Sequence, residues 1–270
     1  MNKISYLGIP GSFTYQAARM HFSDSDVFSG CRSIKSCLDK VESDHCQYAV
    51  IPLENSLTGS VTDSYDFLLG MNLKIAGEII LHIHHYLIGR QKNALNKCYS
   101  HPQVISQCRQ FFLKNSGIVP LAVSDTGSAA RLVSRSKSLK VSAIAGKMAA
   151  DLYKLKVLSP KLEDNPHNFT RFAVVSRKSG TGNKISLIFS VKNKPGSLFT
   201  ALSPYRDLDL NLLKIESRPV FGKPWEYLFF LDFDTGGKKD ALNQLLKKMK
   251  NRVDFLKVLG SYRQGKIYET

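Results

Sequence analysis

The stretch Glu163-Asp164-Asn165-Pro166-His167-Asn168-Phe169-Thr170-Arg171-Phe172 decides how this 270-residue chain is read. Asn, Pro and His set a turn there, and the apolar run Phe172-Ala173-Val174-Val175 that follows predicts a buried strand. Thr170 and Arg171 therefore stand where a loop enters a sheet, a hydroxyl beside a guanidinium. Arg offers a planar fork to a carboxylate and Thr donates to a nearby oxygen, so the pair suits an anionic ligand. A plainer reading is open as well: Thr170 starts the strand and Arg171 makes a surface ion pair.

Upstream, strands and helices alternate, and polar clusters recur at strand ends. Lys3 to Leu7 reads as a strand, and Gly8-Ile9-Pro10-Gly11-Ser12 opens a helix carrying Ala17, Ala18 and Met20. Such a helix start presents N–H groups to an anion. A helix from Ser33 to Val41 follows, then a strand Tyr48-Ala49-Val50-Ile51 that breaks at Pro52. Glu54-Asn55-Ser56 lies beyond it, either as ligand-facing residues at a strand end or as ordinary turn and cap chemistry. Gly59 and an amphipathic helix with Tyr65, Leu68 and Leu69 come next.

Leu73 to Ile88 is an extended run able to cross from one lobe to another. It contains His82, His84 and His85; His82 and His84 share a strand face, but no third ligand of suitable spacing is evident, so structural imidazoles are expected and no metal. A fresh α/β pattern then runs from the strand at Cys98-Tyr99 through a helix carrying Val104, Ile105, Cys108, Phe111 and Phe112. It continues with strands at Ile118–Val123 and Val141–Ala145, helices at Ala129–Val133 and Gly146–Tyr153, and an extended Leu155–Leu158. At Asn168–Phe172 the chain returns. The pattern predicts two α/β lobes, the first interrupted by the second, with a cleft between them.

After a Ser-, Gly- and Lys-rich stretch the rhythm changes. Strands at Ile185–Val191, Asn211–Ser217, Tyr227–Asp234 and Val253–Leu259, with helices from Pro195-Gly196-Ser197-Leu198 and over Lys238–Lys248, give the order βαββαβ of a ferredoxin-like domain. Pro219 to Pro224 separates its middle strands. The expected domains are 1–178 (lobe 1 about 1–78 and 166–178, lobe 2 about 79–165), a linker 179–184, and 185–270.

Composition narrows the classes. No run approaches ~18 apolar residues and Met1-Asn2-Lys3 leads straight into a strand, so neither membrane span nor signal peptide is predicted, and a cytoplasmic location is expected. Cys31, Cys37, Cys46, Cys98 and Cys108 form no Cys-x-x-Cys pair and read as reduced, buried thiols. The net charge of +16 invites nucleic acid, an anionic membrane or a small polyanion, or no more than a solvated surface. The lysines are spread, and no basic block is interleaved with aromatics, so neither nucleic-acid nor membrane partners are expected.

Seven stretches in order resemble the prephenate dehydratase family with a C-terminal ACT regulatory domain, over nearly the whole length: GIPGSFTYQAA (Gly8–Ala18), PLENSLTGSV (Pro52–Val61), SHPQVISQC (Ser100–Cys108), TGSAA (Thr126–Ala130), NFTRF (Asn168–Phe172), GSLF (Gly196–Phe199) and ESRP (Glu216–Pro219). The resemblance implies an α/β fold: a two-lobed type II periplasmic-binding-protein-like catalytic domain and a ferredoxin-like ACT domain. Ser197 stands where the regulatory motif usually has Ala, and Gly146 replaces a common Ser. Asp125 precedes Thr126 where bacterial members often have Ser, and Asp125-Thr126 also looks like the plant arogenate dehydratases, which leaves prephenate or arogenate open as substrate. The N-terminal chorismate mutase domain of some bacterial relatives is not expected.

By the same resemblance the reaction is loss of CO2 and water from prephenate, driven by aromatisation and requiring no cofactor or metal. Thr170 would hydrogen-bond the leaving oxygen, Arg171 would hold a carboxylate or organise the loop, and Asn55 and Ser56 would direct polar groups at the substrate. Gly11, Ser12, Thr126, Phe169 and Phe172 would bind it. Glu54, which would repel a dianion, is expected behind the site as a partner of Arg171 or a backbone N–H. L-Phenylalanine would act as effector at Gly196, Ser197, Leu198, Phe199, Asn211, Leu212, Glu216, Ser217, Arg218 and Pro219, in a homodimer or homotetramer with paired ACT domains. A solute receptor for small anions is the alternative outside the enzyme class.

Overall fold

The computed structural model describes residues 1–220, 222–223 and 225–270; Phe221 and Pro224, within the expected Pro219–Pro224 separator, lie outside the described residues. Two compact units emerge. The first comprises Met1–Phe67, Ile79–Val175 and Lys266–Thr270, and the second Leu68–Glu78 and Ser176–Gly265.

The first unit opens with β1 (Lys3–Leu7), whose end turns at Gly8–Ser12 into α1 (Phe13–His21). Gly8 and Gly11 take φ of +93° and +89°, backbone that a Cβ would oppose. Ser12 caps α1, accepting the Tyr15 N–H at 3.2 Å. Next come β2 (Val27–Cys31), which the sequence pattern did not announce, and α2 (Ile34–Glu42), started by a capping box between Ser33 and Ser36. Then follow β3 (Tyr48–Asn55), the short β4 (Gly59–Ser60), α3 (Thr62–Gly70) and β5 (Lys74–His82). The expected break at Pro52 does not occur: β3 runs through it, because the pairing slips there and the missing N–H falls at a bulge.

The second lobe consists of β6 (Tyr86–Gly89), β7 (Lys97–Ser100), α4 (Pro102–Gln107), α5 (Arg109–Lys114), β8 (Val119–Ala122), α6 (Thr126–Arg135), β9 (Val141–Ala145), α7 (Lys147–Leu152) and β10 (Lys156–Ser159). The single helix expected across Cys108 is two. Cys108 leaves helical geometry, and the Asp164 N–H takes the Gln107 carbonyl (2.8 Å) while the Asp164 carboxylate accepts the Gln110 N–H (3.1 Å). β11 (Phe169–Ser176) carries the chain back into the first sheet.

The second unit adds β12 (Lys184–Ser190), α8 (Ser197–Asp207), β13 (Asn211–Pro219), β14 (Tyr227–Asp234), α9 (Ala241–Met249) and β15 (Phe255–Tyr262). Its sheet has the order β13-β14-β12-β15, every neighbour antiparallel, as in ferredoxin-like folds. Leu187, Phe189, Tyr205, Phe233, Leu245 and Met249 fill its core. Finally β16 (Ile267–Glu269) returns to the first unit and pairs in parallel with Ile80–His82 of β5, a strand no pattern predicted.

The first lobe's sheet thus reads β16-β5-β11-β3-β1-β2, with β4 beside β3, and the second lobe's β10-β6-β9-β7-β8. Ile4, Tyr6, Ala17, Val50, Ile79 and Phe172 pack the first lobe, and Ile88, Ala129, Val133, Ala143 and Ala149 the second. Two sheets linked by two crossings make the expected two-lobed, type II periplasmic-binding-like architecture. Among the described residues, no helix is long and apolar enough to cross a membrane.

Candidate active site

A cavity of about 1060 Å³ opens within the first unit. The starts of α1, α2, α4 and α6 meet at it, through Ser12–Thr14, Ser33–Ile34, Gln103–Val104 and Thr126 with Ser128. Unpaired first-turn N–H groups and helix dipoles make such a meeting point favourable for anions. Two guanidiniums, Arg32 and Arg131, line it too, beside the carboxylates of Asp63 and Asp125. The Asp125 carboxylate is engaged as the cap of α6, accepting from Ser128 N (2.8 Å) and Ser128 Oγ (2.8 Å). Burial lowers the proton affinity of the lining imidazoles His85 and His101, which keeps both neutral near pH 7.

At the back of the cavity a buried polar chain runs behind Thr170. Asn55 Nδ2 donates to Thr170 Oγ1 (3.0 Å), Asn168 Oδ1 (2.7 Å) and Phe169 O (3.2 Å), while its Oδ1 accepts from Leu57 N (3.1 Å) and Thr58 N (3.2 Å). Asn168, fully buried, donates on to Gln107 Oε1 (3.2 Å), which lies 2.8 Å from His85 Nε2. Thr170 Oγ1 accepts from Asn55, so its own proton is available to a ligand. Gln107 Nε2 and His85 Nδ1, one donor and one acceptor, find no partner among the described residues, and both side chains line the cavity.

Strand geometry sorts the other expected residues. Thr170 pairs with Asn55, Arg171 with Glu54 and Phe172 with Pro52; the extra residue, Leu53, lies in β3, so alternation along β11 is unbroken. Thr170, Phe172, Asn55 and Pro52 consequently line the cavity, and Arg171 and Glu54 do not. Arg171 Nη1 is 3.4 Å from Glu54 Oε2 instead. Ser56 is turned to the loop: its Oγ donates to His167 O (2.8 Å) and accepts from Phe169 N (2.9 Å). The Phe169 ring stacks on His82 at 4.4 Å. Gly11 is set against Ala149 and Tyr153, whereas Ser12 and Thr126 do line the cavity. The reading of the sequence missed Arg32, Arg131, His85, Gln107 and Asn168. The last lay inside the decisive stretch, as a polar residue just before an apolar strand.

The ten residues expected to bind an effector divide along the second unit. Gly196–Phe199 begin α8, beyond the end of β12 at Ser190, and Ser190 is in register with Leu228 and so with Arg218 of β13. Asn211 and Leu212 stand at the other end of β13, seven and six residues from Arg218 or roughly 20–23 Å away. One chain therefore does not gather all ten. The histidine reading also changes: the Glu269 carboxylate joins His82 and His84, their ligand-type atoms all within 4.8 Å of one another, a third partner 187 residues from His82 along the chain.

The family model for prephenate dehydratase matches residues 4–180. The chain is 36% identical over 273 residues to the bifunctional chorismate mutase/prephenate dehydratase of Aquifex aeolicus, covering 99% of this chain and 75% of that one. It is 35% identical to the prephenate dehydratase of Methanocaldococcus jannaschii (97% and 98% covered), and 33% identical to arogenate dehydratase/prephenate dehydratase 2 of Arabidopsis thaliana (96% and 71%). Among solved structures, prephenate dehydratase from Arthrobacter aurescens in complex with L-Phe superposes with a TM-score of 0.86 at 25% identity (97% and 90% covered). A protein described as a novel type of quorum-quenching acylase gives 0.86 at 26% (97% and 98%). With that model over residues 4–180 and relatives above 30% identity along nearly its whole length, this chain belongs to the prephenate dehydratase family.

Proposed function

We propose that the cavity catalyses the decarboxylating dehydration of prephenate to phenylpyruvate, in L-phenylalanine biosynthesis. The observation that carries this reading is the Thr170 hydroxyl, held as an acceptor by buried Asn55 Nδ2 so that its proton is presented to a ligand. The ring carboxylate leaves as CO2, its C–C electron pair enters the ring, and the C–O bond to the ring hydroxyl breaks; the departing oxygen ends as water. A Thr hydroxyl is too weak an acid to give up its proton freely, so Thr170 stabilises the departing oxygen by hydrogen bonding while the proton comes from solvent. Arg32, Arg131 and the helix starts hold the carboxylates. Gln107 Nε2 is a ready donor to a further substrate oxygen. Arg171, paired with Glu54 on the other face, positions β11 and β3.

No imidazole or carboxylate among the described residues hydrogen-bonds Thr170 Oγ1, which favours hydrogen-bond donation over nucleophilic attack by this hydroxyl. Arogenate is a second substrate reading, favoured by Asp125: its carboxylate lines the cavity and suits the ammonium that arogenate carries in place of the ketone. The second unit, on this reading, is an ACT domain through which L-phenylalanine inhibits. Support comes from the exposed apolar side chains Phe199, Leu212, Leu213 and Ile215 on α8 and on β13, at one edge of its sheet. Their exposure suits a second copy, and so a homodimer or homotetramer in which two chains complete each effector site. Five free, buried cysteines suit a cytoplasmic location.

The test is turnover of prephenate and arogenate side by side, with and without phenylalanine. Phenylpyruvate formation that falls on adding phenylalanine is expected. No turnover of either by the folded protein returns the cavity to a small-anion receptor, and a preference for arogenate transfers the reading to that substrate.

A further inference from the structure

His82 and His84 lie two residues apart at the end of β5, and Glu269 of β16 stands directly opposite His82 in the parallel ladder. The outer bonds of the two rings fix where their protons sit. His82 Nε2 is 2.7 Å from Pro166 O, a carbonyl that only accepts, so Nε2 carries the hydrogen. His84 Nδ1 is 2.6 Å from Glu163 Oε1; the Glu163 side chain is 2% exposed and its second oxygen accepts the His85 N–H at 2.9 Å. That carboxylate likewise assigns the hydrogen of His84 to Nδ1. In the neutral rings the remaining nitrogens, His82 Nδ1 and His84 Nε2, bear lone pairs. Both face Glu269 Oε2, at 2.9 and 3.7 Å.

Three electron-pair donors thus converge, and a carboxylate set against two lone pairs is stable only around a cation. We propose that His82, His84 and Glu269 bind a divalent transition-metal ion of the zinc class. Two imidazoles and one carboxylate are ligands for such an ion, whereas calcium and magnesium favour all-oxygen sites. Glu163 behind His84 and the Pro166 carbonyl behind His82 are outer partners of the kind that orient metal-binding imidazoles. The Glu269 side chain is 74% exposed, which leaves room for water to complete the coordination. The ion would tie β16 to β5. Through the His82 ring stacked on Phe169 it would also steady the residue preceding Thr170.

The full chain, stripped by a chelator and dialysed free of it, is titrated with Zn2+ by calorimetry and with Co2+ by visible absorption. One equivalent of Zn2+ is expected to bind and to raise the melting temperature, and Co2+ to give the d–d bands of a low-coordinate nitrogen- and oxygen-ligated ion. Glu269→Gln, at an exposed position that leaves the fold intact, and His82→Asn should each weaken Zn2+ binding at least tenfold. Glu163→Gln, which leaves one oxygen to serve both His84 Nδ1 and the His85 N–H, should weaken it by roughly 10- to 100-fold. Absence of saturable Zn2+ binding to the wild-type chain would overturn the proposal and leave a proton as the cation between the rings and Glu269. So would binding unchanged in Glu269→Gln and His82→Asn, which would assign the metal to other histidines.

Discussion

Replacing Thr170 with Val tests the assignment of the leaving-oxygen donor, because the substitution keeps the shape and removes only the hydroxyl. Asn55 Nδ2 retains two acceptors after the change, Asn168 Oδ1 at 2.7 Å and Phe169 O at 3.2 Å, so no buried donor is orphaned. Stability should therefore fall by no more than about 1 kcal/mol. A hydrogen bond to charge that develops only in the transition state is worth about 2.7–4 kcal/mol, or roughly 10²- to 10³-fold in kcat. Phenylpyruvate formation at saturating prephenate, followed beside a thermal melt, reads the two quantities separately. The expected result is a kcat lowered by that factor, a nearly unchanged KM, and a melting temperature close to wild type. Thr170→Ser, which restores the hydroxyl, should recover most of the loss. A Val variant whose kcat stays within about threefold of wild type, far short of the loss of one such donor, would refute the reasoning.

Three further outcomes follow from other parts of the cavity. Arg131→Ala, at an exposed position on α6, should raise KM for prephenate by roughly 10- to 100-fold, the worth of a hydrogen bond to a charged group of about 1.5–3 kcal/mol, with the melting temperature unmoved. Gly127→Val should lower the melting temperature and weaken substrate binding, since even a Cβ at Gly127 would lie 2.7 Å from Pro10 O and 2.8 Å from Ser12 N; overpacking of this kind costs about 1–3 kcal/mol. Cys31, on the cavity wall, should be the first of the five cysteines alkylated by iodoacetamide, with loss of activity. The hydrogen bond with Cys37 and the ammonium of Lys40 hold its thiol below the usual range, so its alkylation rate should rise with pH and level off at a lower pH than that of an ordinary thiol. Peptide mapping across a pH series checks this.

The parts of the fold legible in the sequence were those whose signals are local. Apolar runs marked β1, β9, β12 and β14, and Ser12 and Ser33 marked the starts of α1 and α2. β2 escaped because Ser29 and Gly30 interrupt its apolar pattern, and Gly30 is needed there for a contact made by the fold: a Cβ would come within 2.5 Å of Gly8 O. The Pro52 break was a sound local inference overruled by a bulge in β3. Within the site, Thr170 and Asn55 were read from their motifs, but the strand face that turns Arg171 away needed the register. Arg32 sits in the turn between β2 and α2 and Arg131 on α6, neither with a distinguishing spacing, and only the meeting of helix starts brings them to one cavity. Glu269 could not be linked to His82 without β16.

The pairing of β16 with β5 also fixes an order of events in time. His82 and Glu269 are 187 residues apart, and the second lobe and most of the second unit intervene. Closing a loop of that length costs about 3 kcal/mol more in chain entropy than closing a four-residue hairpin, so this rung should form after β1, β2 and β3 have assembled. On a ribosome the first unit can reach most of its structure early, yet it waits for residues 267–269 before that side of its sheet is covered. Pulse-labelled hydrogen exchange during refolding should find the Ile80 amide, which bonds Lys266 O, protected later than the amides of the β1–β3 ladder.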